Sequence, residues 1–86
     1  MSKWSKLLEE ILLGKRDKNI PFEDLRGLLH RLGFDERVKG SHHLFRKSGI
    51  YERPNLQRDG KHAKPYQVRQ IRNILLAYKL RVEADG

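Results

Sequence analysis

The chain contains no cysteine and only three prolines, so neither disulfides nor thiolate metal sites are available to it. No apolar run approaches the roughly 18 residues that a membrane-spanning helix needs, and the N-terminus lacks the apolar region of a signal peptide. Its 86 residues, of which 37% are hydrophobic and 35% charged, suffice for one modest core. We therefore expect a single cytoplasmic domain without membrane association.

Acidic residues are scarce in the middle of the chain. Residues 37–72 hold ten lysines and arginines against only Glu52 and Asp59, whereas the segments before and after this stretch each sum to zero. The net charge of +8 is therefore concentrated in one segment. Such a patch favours nucleic acid, or an acidic protein, as the partner.

Hydrophobic periodicity predicts helices near both ends of the chain. The first runs from a Ser2 cap to Gly14, the second from Pro21 to Gly33, and the last begins at Pro65. The polar residues of the last helix are expected mostly away from its buried face: Gln67, Arg69, Gln70, Arg72 and Asn73.

Between these helices the pattern changes to short runs at residues 34–39, 42–47 and 50–57, separated by Gly40-Ser41 and Ser48-Gly49. This pattern is typical of an antiparallel meander of three strands. Pro54 cannot donate to a sheet, so the third strand is expected at an edge, and residues 58–64 are expected to form a loop. The sequence therefore predicts an α+β fold with helices on one face of a three-stranded sheet.

Along the single domain, residues 1–18 are interpreted as an N-terminal helical extension and residues 19–80 as the core. Residues 81–86 are expected to form a flexible tail.

Two adjacent histidines are the main candidates for chemistry. Neighbouring side chains of a strand point to opposite faces, so His42 and His43 cannot both lie on the open face. If Phe45 packs under the helices, His43 shares its side and His42 points outward; if Leu44 is the core residue, the reverse holds. We favour the first arrangement because Phe45 has the larger apolar area to bury.

A histidine in a basic surface can cleave RNA by taking the proton of the 2′-hydroxyl that attacks the adjacent phosphate. Nearby cations keep the imidazole neutral and stabilise the developing phosphorane charge. Arg46, with Lys39 or Lys47, is the expected phosphate contact, and Lys64 adds charge at a helix start, where free amides attract phosphate. His42 is therefore the candidate catalytic residue, as base or acid, with a solvated surface histidine as the alternative.

The remaining histidines have weaker claims. His62, in the predicted loop between Lys61 and Lys64, is either a second acid–base group or a loop residue without a role, and His30 is expected on a helix surface. Adjacent strand histidines diverge and no acidic cluster completes a coordination shell, so we expect no metal and no cofactor.

The run Gly40-Ser41-His42-His43-Leu44-Phe45-Arg46 resembles the HicA (YcfA-like) family of toxin mRNA interferases. The resemblance covers about residues 20–80 and includes Leu32-Gly33-Phe34 and an Ile-Leu-Leu core in the last helix. Two features depart from the family: many relatives have a Pro-x-His histidine in the third strand where this chain reads Pro54-Asn55-Leu56-Gln57, and the helix at residues 3–13 is additional.

This resemblance implies a fold like the double-stranded RNA-binding domain and ribonuclease activity on mRNA, with the catalytic histidine at His42. It also implies growth arrest, and neutralisation by a HicB-like antitoxin that masks the active site. The expected RNA contacts are Lys39, Ser41, His43, Arg46, Lys47 and Lys64. A non-catalytic RNA-binding module of the same fold, or an adaptor for an acidic protein, are the alternatives.

Overall fold

Three helices and two small antiparallel sheets make up the computed structural model, which describes residues 2–82. The elements are, in chain order, α1 (Lys3–Leu13), α2 (Phe22–Arg31), β1 (Asp35–Lys39), β2 (His42–Arg46), β3 (Asn55–Leu56), β4 (Arg58–Asp59), β5 (His62–Ala63) and α3 (Pro65–Tyr78). The α+β class, the three helices and the central antiparallel sheet are therefore as the sequence predicts.

The helix boundaries follow from local chemistry. Ser2 caps α1, since its hydroxyl accepts a hydrogen bond from the Ser5 amide at 3.1 Å, and Gly14 ends this helix in a left-handed conformation with φ of +72°. Pro65, whose fixed φ suits a first helical turn, opens α3.

One core is formed by the apolar stripes of the three helices and the inner face of the central sheet. Its largest fully buried side chains are Phe22, Phe45, Ile11, Ile20, Leu25, Leu28, Leu29, Leu56, Ile71 and Leu75. Because Phe45 is 1% exposed while His42 is exposed, the strand faces the helices with the side that Phe45 occupies. This is the orientation favoured from the sequence.

The central sheet has the order β1-β2-β3, with Lys39 opposite His42 at one end of the first hairpin and Asp35 opposite Arg46 at the other. Gly40 (φ +60°) followed by Ser41 with negative φ matches a type II′ turn. β3 is an edge strand, as Pro54 suggested, but it is far shorter than the expected 50–57.

The segment before β3 is irregular because its polar groups find partners outside a β ladder. The Tyr51 amide donates to the Tyr78 hydroxyl at 3.2 Å, and the Tyr78 hydroxyl donates to Glu52 at 2.6 Å. The Phe45 amide donates to the Pro54 carbonyl at 2.9 Å, but Pro54 has no amide hydrogen to donate in return, so regular pairing starts only at Asn55.

The prediction of a loop at residues 58–64 is wrong. This segment contains the β4–β5 hairpin, whose turn includes Gly60 with φ of +63°. The hairpin is fixed to the segment that starts α2, because the Phe22 amide donates to the Lys61 carbonyl and the Ala63 amide to the Ile20 carbonyl, both at 2.9 Å. Strands of two residues are too short to give a period-2 pattern, so the sequence does not reveal them.

Two polar residues of α3 depart from the expected outward placement. Gln67 is completely buried, and Arg72 crosses to α1, where its Nε donates to the Ile11 carbonyl at 2.7 Å and its guanidinium pairs with Asp17.

Within the predicted tail, Val82 packs against the core, while residues 83–86 lie outside the described residues. No helix of residues 2–82 has the length and apolar character to cross a membrane.

Candidate functional site

His42 lies on the open face of the central sheet, immediately after the Gly40-Ser41 turn. Its Nδ1 is 3.1 Å from Oδ1 of Asn55 on β3. With the Asn55 amide in this orientation, Nδ1 carries a proton and donates it, which leaves Nε2 free on the exposed side as a proton acceptor in the neutral ring. The same hydrogen bond persists in the imidazolium, so His42 can gain and lose a proton at Nε2 without losing its partner.

Three further polar side chains meet beside His42. The Gln57 amide nitrogen donates to the Ser41 hydroxyl at 3.2 Å, and the Lys64 ammonium donates to the Gln57 amide oxygen at 3.5 Å. Gln57 therefore connects the turn before His42 with the residue that precedes α3. We call this group, Ser41, His42, Asn55, Gln57 and Lys64, the histidine cluster.

Gln57 is itself held by the buried Gln67. In the amide orientation that satisfies both atoms, the Gln67 nitrogen donates to the Gln57 carbonyl at 3.1 Å and its oxygen accepts from the Gln57 amide at 3.0 Å. A buried amide that pairs with both backbone groups of one residue holds that residue in place, because a buried polar group without a hydrogen-bond partner lowers the stability of the fold. The core of α3 thereby positions the histidine cluster.

Unpaired positive charge surrounds the cluster. Lys39, directly opposite His42 in the register, is exposed and has no ion-pair partner among residues 2–82. Arg58 and Arg72, counted in the basic segment, are instead neutralised by Glu23 and Asp17. The surface charge available to an external anion is therefore smaller than the sequence suggests; on the open sheet face it includes Arg37, Lys39 and Arg46.

His43, also predicted as an RNA contact, lies on the inner face of the sheet and not on this surface. It points toward α2, where its side chain is only 14% exposed and its ring meets Phe22 edge-on at 4.9 Å. Its Nδ1 lies 2.7 Å from a carboxylate oxygen of Glu36. Strand alternation puts the two adjacent histidines in unrelated environments.

Glu36 is the centre of a polar group on the inner face that the sequence did not reveal. Besides His43, its carboxylate accepts from Arg26 Nε and from His30 Nε2, each at 2.6 Å. Burial raises the pKa of this carboxyl, but the hydrogen bonds from Arg26, His43 and His30 outweigh it and lower the pKa from 4.5 to about 2. The expected surface histidine His30 is thus tied to a strand carboxylate, and we call these four residues the Glu36 hub.

Arg46 and Lys47 lie at the other end of β2. Arg46 shares the open face with His42 but is four residues away, about 13 Å at the rise of an extended strand, so it contacts a different part of any bound chain. A Cβ at Gly33 would come within 2.9 Å of the Lys47 ammonium, which places Lys47 against the turn after α2. Of the predicted contacts, the structure groups Lys39, Ser41 and Lys64 with His42, and leaves Arg46 and Lys47 apart.

His62 occupies β5, opposite Asp59, in the separate two-stranded sheet. Within residues 2–82, histidines and carboxylates form no group that is suited to hold a metal ion.

Asn55 and Gln57 were not predicted as site residues, because only the register of β3 against β2 places them beside His42. The burial of Gln67 could have been inferred from its spacing, because it lies four residues before Ile71 and therefore on the apolar stripe of α3.

No protein-family model, curated protein or solved structure matches this chain.

Proposed function

We propose that this protein is a metal-independent endoribonuclease that cleaves mRNA, the toxin of a toxin–antitoxin pair, with His42 as its catalytic residue. The observation that carries the proposal is the exposed His42 imidazole, oriented by Asn55 through Nδ1 and flanked by the cations Lys39 and Lys64. An imidazole can take a proton from a hydroxyl and release it again, and lysines beside it provide the charge that a phosphodiester requires.

In this mechanism the free Nε2 of His42 takes the proton of a ribose 2′-hydroxyl. The 2′ oxygen then bonds to the adjacent phosphorus, the bond from phosphorus to the 5′ oxygen breaks, and the departing 5′ oxygen takes a proton from solvent water. Lys64 and Lys39 stabilise the charge on the non-bridging oxygens. The products are a cyclic phosphate and a free 5′-hydroxyl, and the proton on His42 returns to solvent.

The wider role follows from the resemblance of residues 40–46 to HicA toxins. The order α2, β1–β3, α3 supports a relationship to the double-stranded RNA-binding domain, with α1 as an addition. We propose that cleavage occurs in the cytoplasm, that it inhibits translation and arrests growth, and that a HicB-like antitoxin covers the open face. The exposed cations there are suited to an acidic partner surface.

A non-catalytic RNA-binding module is the second candidate. It is favoured by one observation: His42 is held by an amide, whereas the carboxylate hub that could strengthen a histidine as a base lies on the opposite face around His43. Such a module would bind RNA through backbone contacts that weaken with salt and would leave the RNA intact.

The deciding experiment compares wild type, His42→Ala and His62→Ala, each purified in parallel and incubated with labelled mRNA in the presence of a chelator. General acid–base catalysis contributes about 10²- to 10⁴-fold, so His42→Ala should lose cleavage by that factor while His62→Ala retains it. Circular dichroism and RNA binding should be unchanged, because His42 is exposed.

Full cleavage by His42→Ala would refute the catalytic assignment. Intact RNA that stays bound to the wild-type protein would establish the second candidate instead. Colony counts after inducing wild type and His42→Ala provide the test in cells.

A further inference from the structure

The open face of the central sheet has a second feature, at the opposite end from His42. A shallow groove of about 370 Å³ lies there between β1, β2 and the segment before β3. We call it the arginine groove; its lining side chains on the open face are Asp35, Arg37, Leu44, Arg46 and Arg53. In the register Arg37 is opposite Leu44 and Asp35 is opposite Arg46, so the strands themselves place these groups side by side.

The three arginines of this groove form no ion pair among residues 2–82. Arg37, Arg46 and Arg53 are exposed and form no hydrogen bond or ion pair with any of residues 2–82. Four other arginines are instead paired with carboxylates: Arg16 with Glu10, Arg26 with Glu36, Arg58 with Glu23 and Arg72 with Asp17. Three free guanidiniums against the single carboxylate of Asp35 leave the groove positively charged and suited to an anionic ligand.

The lining is better suited to a nucleotide than to a bare phosphate. A guanidinium is planar, so it can stack on a nucleobase as well as bind phosphate. The half-buried Leu44 supplies an apolar floor between the charges. A base held in this way must be unpaired and turned away from its neighbours, which is how proteins read single-stranded RNA, whereas duplex RNA presents its backbone and minor groove.

The groove and the histidine cluster share one face of one strand. Leu44 and Arg46 follow His42 along that face, and Arg46 is about 13 Å from it at the rise of an extended strand. We propose that the arginine groove is a second subsite, which binds an unpaired base and its phosphate in single-stranded RNA, at a nucleotide other than the one at His42. The subsite rests on the RNA binding of the proposed function, but it does not depend on cleavage at His42.

The test measures binding in a His42→Ala background, where the RNA stays intact. Fluorescence anisotropy would follow a short labelled single-stranded RNA, the duplex of the same sequence, and a series in which one abasic nucleotide is moved along the strand. The variants are the pair Arg37→Gln with Arg46→Gln, and Lys18→Gln as a control that removes a charge from the exposed link between α1 and α2.

We expect one abasic position to weaken binding about tenfold, as is typical for the loss of one stacked base. This loss should disappear in the arginine double variant, because the base subsite is already gone. The double variant should also weaken single-stranded binding about tenfold or more and reduce the salt dependence by about two released counterions, whereas Lys18→Gln should change little. The duplex should bind more weakly than the single strand.

An abasic series without a sensitive position, or equal affinity for the duplex, would overturn the subsite while leaving cleavage at His42 intact. Binding that is unaffected by the arginine variants would do the same. If no RNA binds to any form and the groove instead retains an acidic protein, both the subsite and the proposed function are overturned. Circular dichroism of the double variant checks that the fold is kept.

Discussion

Replacing Glu36 with glutamine should destabilise the fold in a manner that depends on pH. The Glu36 side chain is 5% exposed and accepts hydrogen bonds from Arg26, His30 and His43. Glutamine keeps the shape but carries no charge, and its NH₂ group faces donors instead of accepting from them. The substitution therefore removes the charge on which all four residues of the Glu36 hub depend.

The magnitude follows from the carboxyl's pKa. Burial opposes ionisation, yet the hydrogen bonds from Arg26, His43 and His30 lower the pKa of Glu36 from 4.5 to about 2. At about 1.4 kcal/mol per pH unit, this gap corresponds to about 3 kcal/mol of stability at pH 7. Arg26 and His30 are 35% and 46% exposed, so solvent screening reduces the expected loss to about 2 kcal/mol.

The sign of the pH dependence of stability is fixed by the direction in which folding changes the pKa of Glu36. Because the folded-state pKa of Glu36 is lowered, its stabilisation is present above about pH 4.5 and is lost as the pH falls toward 2. The difference in unfolding free energy between wild type and Glu36→Gln should therefore shrink by more than about half between pH 5 and pH 3.

Urea unfolding followed by circular dichroism at several pH values measures this difference. Glu9→Gln is the matched control, since Glu9 is exposed on α1 and has no partner among residues 2–82; it should change stability by less than about 0.5 kcal/mol. A Glu36→Gln penalty that is equally small, or that stays constant from pH 7 to pH 3, would refute the assignment of the lowered pKa to these three donors.

Two further substitutions test the packing behind the histidine cluster and the helices. Gly27→Ala should destabilise the protein by about 1–3 kcal/mol in thermal unfolding, because a Cβ at this position would overlap the Trp4 ring. A higher melting temperature would contradict this. In a Trp4→Ala background the same substitution should stabilise the protein, since alanine favours helices over glycine. Gln67→Leu leaves both backbone groups of Gln57 unpaired and should cost about 1–3 kcal/mol. It should also slow RNA cleavage, since Gln57 links Ser41 with Lys64; unchanged stability and rate would show that Gln67 does not position the cluster.

The helices and the direction of β2 were predictable because each depends on strong local signals. Apolar spacing and end residues such as Ser2, Gly14 and Pro65 define helices without tertiary information. The outward position of His42 followed from alternation together with the large apolar area of Phe45.

The partners of the histidines were not predictable, because they depend on pairing between segments distant in sequence. Asn55 lies beside His42 only because of the register of β3 against β2. An irregular segment precedes β3, and its length does not determine that register. Glu36 looks like any charged residue of an edge strand; its burial appears only when α2 lies across the sheet and places His30 above it. The short β4–β5 hairpin was missed for the related reason that its hydrogen bonds to Ile20 and Phe22 are tertiary.

The two faces of β2 differ in whether their charged groups have partners. On the inner face, Glu36 neutralises Arg26 and orders His43, which fixes the sheet against α2. On the outer face, His42 and Arg46 have no carboxylate partner among residues 2–82, so their electrostatic interactions remain available to a ligand. Unpaired cations on one rigid face repel each other and add nothing to folding, and they are the charges that the proposed RNA binding would use. The separation also means that adjacent residues of the same strand should respond differently to substitution: changes at His43 should alter the unfolding free energy, and changes at His42 should alter only the proposed cleavage.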